Sequence, residues 1–496
     1  MRHRLYPAIL IAVFVLSRGV ALAAGLRYST IELVWFWQVL DLDVLHHHLA
    51  RGLLNLHGQP PLYNGLIGLA LKLAGDSFGW VLLGLQLLLG LAATLSIYLC
   101  LVRLRLWPSI SFWVALFLLL NPSAILFEFD ALYTQLVYAG LCVMALAITG
   151  YVQTRASAWL WTTLGLGLGL TLVRATYQWM WLAALCVLLW WLLPEARRRT
   201  TPICLTVLAL SLLWPFKNLV RFHHFTSSTW APYSVAKHWS ASDPAVAAWA
   251  ATGKLPTFTY SESEGAEKEN EWLRERWRAP KRGAPELDEL TKSVGGAANW
   301  NSLALLRMHD AQAKDVSFLL RHHPLPVLVE AVKGVRLYFE PTSRYFLISQ
   351  DEAASEYRKL ASITHSIDRT CCNLFGLPPD FRSDYRPPNQ AALKDHSTPL
   401  QLFQRLCVGA IAIFALMLAA LASTTKQSFW RNDPDRRVVT ILLGWSVVWV
   451  FVVTSLVETG ENMRFRFETQ ALAMVMVAVF TQQLWDSRRR RLIDPH

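Results

Sequence analysis

Asp41-Leu42-Asp43-Val44-Leu45-His46-His47-His48 opens a polar island that runs to His57-Gly58-Gln59-Pro60-Pro61-Leu62-Tyr63-Asn64. The island holds two carboxylates, four histidines and a rigid Pro-Pro turn. On both sides the chain turns apolar, from Pro7 to Leu26 before it and from Leu62 to Gly75 after it. A polar island between lipid-compatible runs reads as a loop carried at a membrane surface.

The composition agrees. The chain has 496 residues, 54% hydrophobic and only 17% charged, too apolar for an ordinary soluble enzyme. Its net charge of +12 does not imply nucleic acid, because the basic residues stand in short clusters between apolar runs. The seven cysteines have no metal-site spacing. Cys100, Cys142, Cys186, Cys204 and Cys407 fall in apolar segments and read as packing residues, whereas Cys371-Cys372 would need a strained geometry to pair.

Apolar segments at 7–26, 78–102, 108–120, 131–152, 158–173, 177–193, 203–219, 401–423, 438–457 and 469–485 predict a mainly α, polytopic membrane helical bundle of about ten transmembrane helices. Residues 62–75 are too few for a full span and read as a partial or interfacial helix. Arg103 and Arg105, Arg155, Arg197–Arg199, Lys426–Arg437 and Arg488–Arg491 then share one side. By the positive-inside rule that side is the cytoplasm. The reading is a multi-pass plasma-membrane protein with both termini inside and the polar island outside. Val20-Ala21-Leu22-Ala23-Ala24 imitates a signal-peptidase site, but the run is long enough to span, and the first helix is read as retained.

Three parts follow. Residues 1–220 form an N-terminal transmembrane module of about seven spans, with the first external loop at 27–61. Residues 221–398 are polar and read as an extracytoplasmic domain, with a charged helix at Ser261–Arg278 and an amphipathic helix at Pro324–Phe339 suited to a bilayer surface. Residues 399–496 supply about three further spans.

This topology gathers the distinctive polar residues on the outer side. The first loop brings Asp41 and Asp43, the second Glu128 and Asp130, the third Arg174, and later segments Lys217, Arg221, Arg464 and Arg466. Acid on one loop and base on several others suit an anionic, lipid-attached substrate. Guanidinium pairs bidentately with phosphate, and a carboxylate can take a proton from an acceptor hydroxyl. Asp41 is expected to cap a helix running from about Leu42 to His57, with Asp43 in its first turn and His46 or His47 on the same face. The histidine run wraps most of the way round such a helix, so His46, His47 and His48 cannot all bind one ion. Arg464 and Arg466, two apart, would face one way on an extended loop.

These motifs resemble the GT-C superfamily of integral-membrane glycosyltransferases. The likeness is to the branch similar to protein O-mannosyltransferases and lipid A aminoarabinose transferases. The residues that carry it are Asp41-Leu42-Asp43, His57-Gly58-Gln59-Pro60-Pro61-Leu62-Tyr63, Asn121-Pro122 before an acidic loop, and Arg464-Phe465-Arg466-Phe467. The resemblance implies a polyprenyl-phosphate sugar donor, a lipid, glycan or protein acceptor, an extracytoplasmic site and inversion at the anomeric carbon. It points to Asp41 as first choice for the base and Asp43 as second, with His57, Tyr63, Arg174, Lys217, Arg221, Arg464 and Arg466 binding substrate. Some relatives use a divalent metal ion near the first loop. Here Asp43, His46, His47, Glu128 and Asp130 could supply ligands, with the ion's identity open. Two other classes compete: a transporter or flippase, and a polymerase or ligase of lipid-linked glycans.

Overall fold

The computed structural model describes residues 5–493 apart from 24, 25, 27, 29, 260–271, 274, 340–407 and 459. Among the described residues the chain is helical and has no strand, only an isolated bridge between Thr291 and Ala298. The N-terminal module comprises α1 (Tyr6–Ala23), α2 (Ile31–Trp35), α3 (Leu42–His47), α4 (Leu49–Asn55), α5 (Leu62–Ala74), α6 (Phe78–Arg103), α7 (Pro108–Leu119), α8 (Pro122–Glu128), α9 (Thr134–Thr154), α10 (Ser157–Val173), α11 (Trp179–Leu192) and α12 (Arg197–Phe222). The middle segment contains α13 (Ala231–Ala236), α14 (Pro244–Ala251), a single turn at Pro285–Asp288, α15 (Leu303–His322) and α16 (Leu325–Tyr338). The chain ends in α17 (Val408–Ser423), α18 (Pro434–Val457) and α19 (Asn462–Ile493).

Among the described residues, five helical stretches are long and apolar enough to cross a membrane: Tyr6–Ala23, Leu62–Arg103, Thr134–Thr154, Pro194–Phe222 and Pro434–Val457. Shorter apolar helices lie at Pro108–Leu119, Ser157–Val173, Trp179–Leu192 and Ala410–Ser423. The protein is therefore a helical membrane protein. The described part of every apolar segment read from the sequence falls largely on a helix. The partial helix at 62–75 continues through a 3-10 turn into α6, so Leu62–Arg103 is one helical run.

Helix α9 is the central post. It is buried on nearly every face, through Val137, Leu141, Cys142, Met144, Ala145 and Ile148, with α6, α10 and α19 packed around it. A helix apolar all round is stable only when enclosed in this way. Cys100, Cys142, Cys186 and Cys204 are buried thiols, whereas Cys371, Cys372 and Cys407 lie outside the described residues, as does most of Ser261–Arg278.

A charged tie crosses the bundle. Arg18 of α1 meets Glu128 of α8 through Nε at 2.7 Å and Nη2 at 2.6 Å, and its Nη1 donates to the Leu119 carbonyl at 2.9 Å. Gly90 makes the room, since a Cβ there would collide with the Glu128 carboxylate. Helix α8 starts where the sequence dictates: Asn121 accepts the Ser123 N–H at 2.9 Å, and Pro122 follows at the first helical position.

Two expected elements differ. The helix from Leu42 to His57 is two short ones, because His48 leaves the helical region at φ −130°, ψ 36°. The break turns α4 so that Arg51 and Asn55 reach Glu286. Arg464 and Arg466 are not on an extended loop. They sit in the first turns of α19, about 200° apart around its axis.

Candidate functional site

Asp41 caps α3 as its residue type dictates. One carboxylate oxygen accepts the Asp43 N–H at 3.2 Å, and the other accepts the Ser293 N–H from the middle segment. Next to it, Lys292 is buried and its ammonium donates to the carbonyls of Phe36 at 2.8 Å and Val34 at 3.1 Å. Burial pushes the Lys292 amine down to about 8, against the opposing pull of the Asp41 carboxylate. Asp43 is exposed and faces His47 at 3.6 Å, the i,i+4 pairing expected of this helix, with His46 stacked beside His47.

His57, expected to contact substrate, is enclosed by protein. It is fully buried, its Nε2 lies 3.0 Å from the Asn301 carbonyl and its Nδ1 lies 2.9 Å from the Thr229 hydroxyl. A carbonyl can only accept, so Nε2 carries the hydrogen and Nδ1 accepts from Thr229. Burial drives the imidazole down to about 3, so the ring is neutral at pH 7. The Asn301 side chain completes the joint. Its Oδ1 accepts the N–H groups of His57 at 2.8 Å and Gly58 at 3.2 Å, and its Nδ2 donates to the carbonyls of Asn55 at 3.1 Å and Glu286 at 3.2 Å. Lys217 and Arg221, expected at a phosphate, serve this joint as well. Lys217 donates to the Leu56 carbonyl, and Arg221 donates to Asn55 Oδ1 at 2.6 Å.

A second cluster forms where α10, α19 and the Asp130–Tyr133 turn meet. Arg174, just past the end of α10, is ion-paired with Glu468 and lies over the Phe465 ring at 3.8 Å and the Tyr133 ring at 4.9 Å. Arg464 is fully buried, 2.6 Å from Glu461, and donates to the Tyr133 hydroxyl at 3.2 Å. Tyr133 donates in turn to the Gln38 side chain, three positions before Asp41. Tyr63 also belongs here, with its hydroxyl donating to the Ala131 carbonyl at 2.6 Å and its ring edge-on to Tyr133. Arg466, on another face of α19, lies among the groups around Tyr338.

Between the two clusters stands an aromatic group at the first loop. Trp37 packs edge-on to Trp300 at 4.9 Å, Trp230 at 6.1 Å and Tyr233 at 6.5 Å, and the Lys237 ammonium caps Tyr233 at 4.6 Å and Trp37 at 5.0 Å. Such rings offer flat apolar faces beside polar groups.

The candidate metal ligands do not converge. The Glu128 carboxylate is taken by Arg18, Asp43 and His47 are on the surface with His46, and Asp130 is buried elsewhere. Among the described residues no three such side chains share a site. Asp130 is unusual in another way. It is 3% exposed, and neither carboxylate oxygen has a hydrogen-bond partner among the described residues. Burial, reinforced by the charge of Glu32 and opposed by Arg464, holds this carboxyl well above its ordinary range and favours the neutral acid.

Asp41 and Asp43 therefore lie together at the start of α3, and Tyr63, Arg174 and Arg464 lie together around Tyr133. His57, Lys217 and Arg221 belong to the joint. Glu468, Tyr133 and Asn301 are absent from the sequence reading. Glu468 follows Arg464 by four residues and was open to a helical reading; Asn301, more than 240 residues from His57, gave no signal. Comparison of the chain with protein-family models, curated proteins and solved structures finds no match.

Proposed function

We propose that the protein is an inverting glycosyltransferase that moves a sugar from a polyprenyl-phosphate donor to an acceptor hydroxyl on the outer side of the plasma membrane. Asp41 takes the acceptor proton. The acceptor oxygen attacks the anomeric carbon, the bond from that carbon to the phosphate oxygen breaks, and the phosphate leaves with the electron pair. The observation that supports this reading best is the convergence of Arg174 and Arg464 on one Tyr133–Phe465 platform. That platform is linked through Gln38 to the loop bearing Asp41. Glu461, 2.6 Å from Arg464, holds the place that a donor phosphate would take. Because the candidate metal ligands stand apart, no step is routed through an ion.

A transporter or flippase would draw its support from the charged Arg18–Glu128 tie within the bundle. That tie is closed on itself in this structure: the guanidinium also bonds the Leu119 carbonyl and the Ser17 hydroxyl. The reading is tested by reconstituting purified full chain in vesicles and following radiolabelled sugar from a defined polyprenyl-phosphate donor. Transfer by the wild type and its loss in Asp41→Asn is the expected result. Undiminished transfer by Asp41→Asn removes Asp41 as base. Substrate uptake without transfer replaces the enzyme with a transporter.

A further inference from the structure

Among the described residues, helix α16 has one face exposed rather than packed on protein. Leu325, Leu328, Val329 and Val332 are 63%, 62%, 47% and 70% exposed, and their spacing puts them within one arc of about 100°. The opposite face is fitted to the bundle. A Cβ on Gly334 would come within 2.8 Å of the Ser455 carbonyl oxygen at the end of α18. Farther along, Tyr338 is buried against Phe451 of α18 at 5.0 Å and Phe414 of α17 at 6.1 Å, and its hydroxyl is 3.4 Å from that of Thr469 in α19. Phe451 lies six residues inside the α18 terminus at Val457, a depth of about 9 Å. The C-terminal end of α16 thus reaches below the end of α18. Arg321 and His322, both exposed, lie immediately before α16.

We propose that α16 is a membrane-interfacial helix, with its Leu325–Leu328–Val329–Val332 face occupied by phospholipid at the boundary of headgroups and acyl chains. Three observations select lipid over a protein partner. The exposed face is aliphatic and carries no aromatic anchor, unlike a protein interface core. The buried face is seated on three apolar helices, so the depth of the helix matches that of interfacial segments. Basic Arg321 precedes the apolar face, where headgroup phosphates would lie. The seat also has a consequence for the site. Gly334 touches Asn462, whose Nδ2 donates to the Thr454 and Glu458 carbonyls at 3.0 Å and so fixes the turn that carries Glu461. The inference rests on the helical membrane character of the chain and is independent of the proposed reaction.

The test uses wild-type full chain in phosphatidylcholine–phosphatidylglycerol vesicles containing a phosphatidylcholine with an acyl-chain diazirine, followed by irradiation and peptide mapping. Adducts are expected on Leu328, Val329 and Val332, as on the exposed α12 residues Leu213 and Phe216 that serve as the lipid-facing reference. Adducts on α12 with none across 325–332 overturn the proposal. In a Leu328→Glu/Val332→Glu variant the α16 adducts should be lost while those on α12 persist, which also reports that the bundle is intact. Undiminished α16 labelling in that variant would equally overturn the assignment of this face to lipid.

Discussion

Asn301→Ala should uncouple the first loop from the middle segment. The substitution deletes four hydrogen bonds at once: those from the His57 and Gly58 N–H groups, and those to the Asn55 and Glu286 carbonyls. A typical intramolecular hydrogen bond is worth about 1 kcal/mol net, so the joint loses about 4 kcal/mol. If the joint opens locally, that energy raises the open population by about three powers of ten. Hydrogen–deuterium exchange by mass spectrometry in detergent reads this directly. The informative amide is that of Thr229, which donates to the His57 carbonyl at 3.2 Å and is not itself bonded to Asn301. Its exchange should accelerate together with those of His57 and Gly58, while amides within α9 stay protected. Acceleration at His57 and Gly58 with none at Thr229 would refute the claim that Asn301 holds the two segments together. It would show only that two amides had lost their own acceptor.

The acid sensitivity of the same joint has a definite sign. His57 falls from 6.5 unfolded to about 3 in the fold, so the unfolded state binds the proton more tightly. The contribution is complete above about pH 6.5 and is lost as pH falls towards 3, amounting to about 2 kcal/mol at pH 5. Thermal midpoints between pH 7.5 and pH 5 should drop less steeply in His57→Gln, with a residual slope from His309, which burial holds at about 4. Arg18→Met should cost about 3–5 kcal/mol by leaving the buried Glu128 carboxyl without its partner, and Arg18→Met/Glu128→Leu should recover most of it. Equal midpoints for the single and double variants would show that the pair is not coupled. Arg174→Lys keeps the charge but gives up the planar stack on Phe465 and Tyr133, costing about 2 kcal/mol in unfolding measurements.

The apolar periodicity made the bundle legible because lipid imposes the same demand on every spanning segment. Local rules succeeded too: Asp41 does cap α3 and His47 does return to Asp43, whereas Asn121-Pro122, read as leading into a loop, starts α8. The residues assigned to substrate share a feature. Lys217, Arg221 and His57 were recognised as polar groups near a membrane end that needed partners. Their partners are the carbonyls and side chains of Leu56, Asn55, Thr229 and Asn301. Nothing local identifies a backbone carbonyl far along the chain as the satisfying group, so a substrate was put in its place. Arg464 and Arg466 failed on period. They were read on an extended loop, but Asn462 closes the turn and starts α19, and the repeat becomes 3.6. Arg18 was legible and overlooked, since a lone arginine in an apolar run signals a buried partner.

The two ion pairs behind the first loop are hard to account for by stability alone. Arg174–Glu468 and Arg464–Glu461 put four charges at the end of the bundle, with Arg464 and Glu468 fully buried. Taking charges out of water costs several kcal/mol per ion, and well-packed apolar residues often serve a fold as well or better. Orientation gives the pairs a use. Glu468 and the Phe465 ring fix the Arg174 guanidinium from two sides, and Tyr133 fixes Arg464 while tying it to Gln38. Glu461 differs from Glu468 in that it is 13% exposed and follows the turn at Gly460. Of the two carboxylates it is the one an incoming phosphate could displace without unpacking α19. Exchange of Glu461 for a substrate anion would preserve charge balance around Arg464 while releasing the turn. On that argument Glu461→Gln weakens the competitor and should raise donor affinity, whereas Glu468→Gln disorders Arg174 and should lower it. Donor binding titrated for both variants checks the pair of signs, and a fall in affinity for both would refute the distinction.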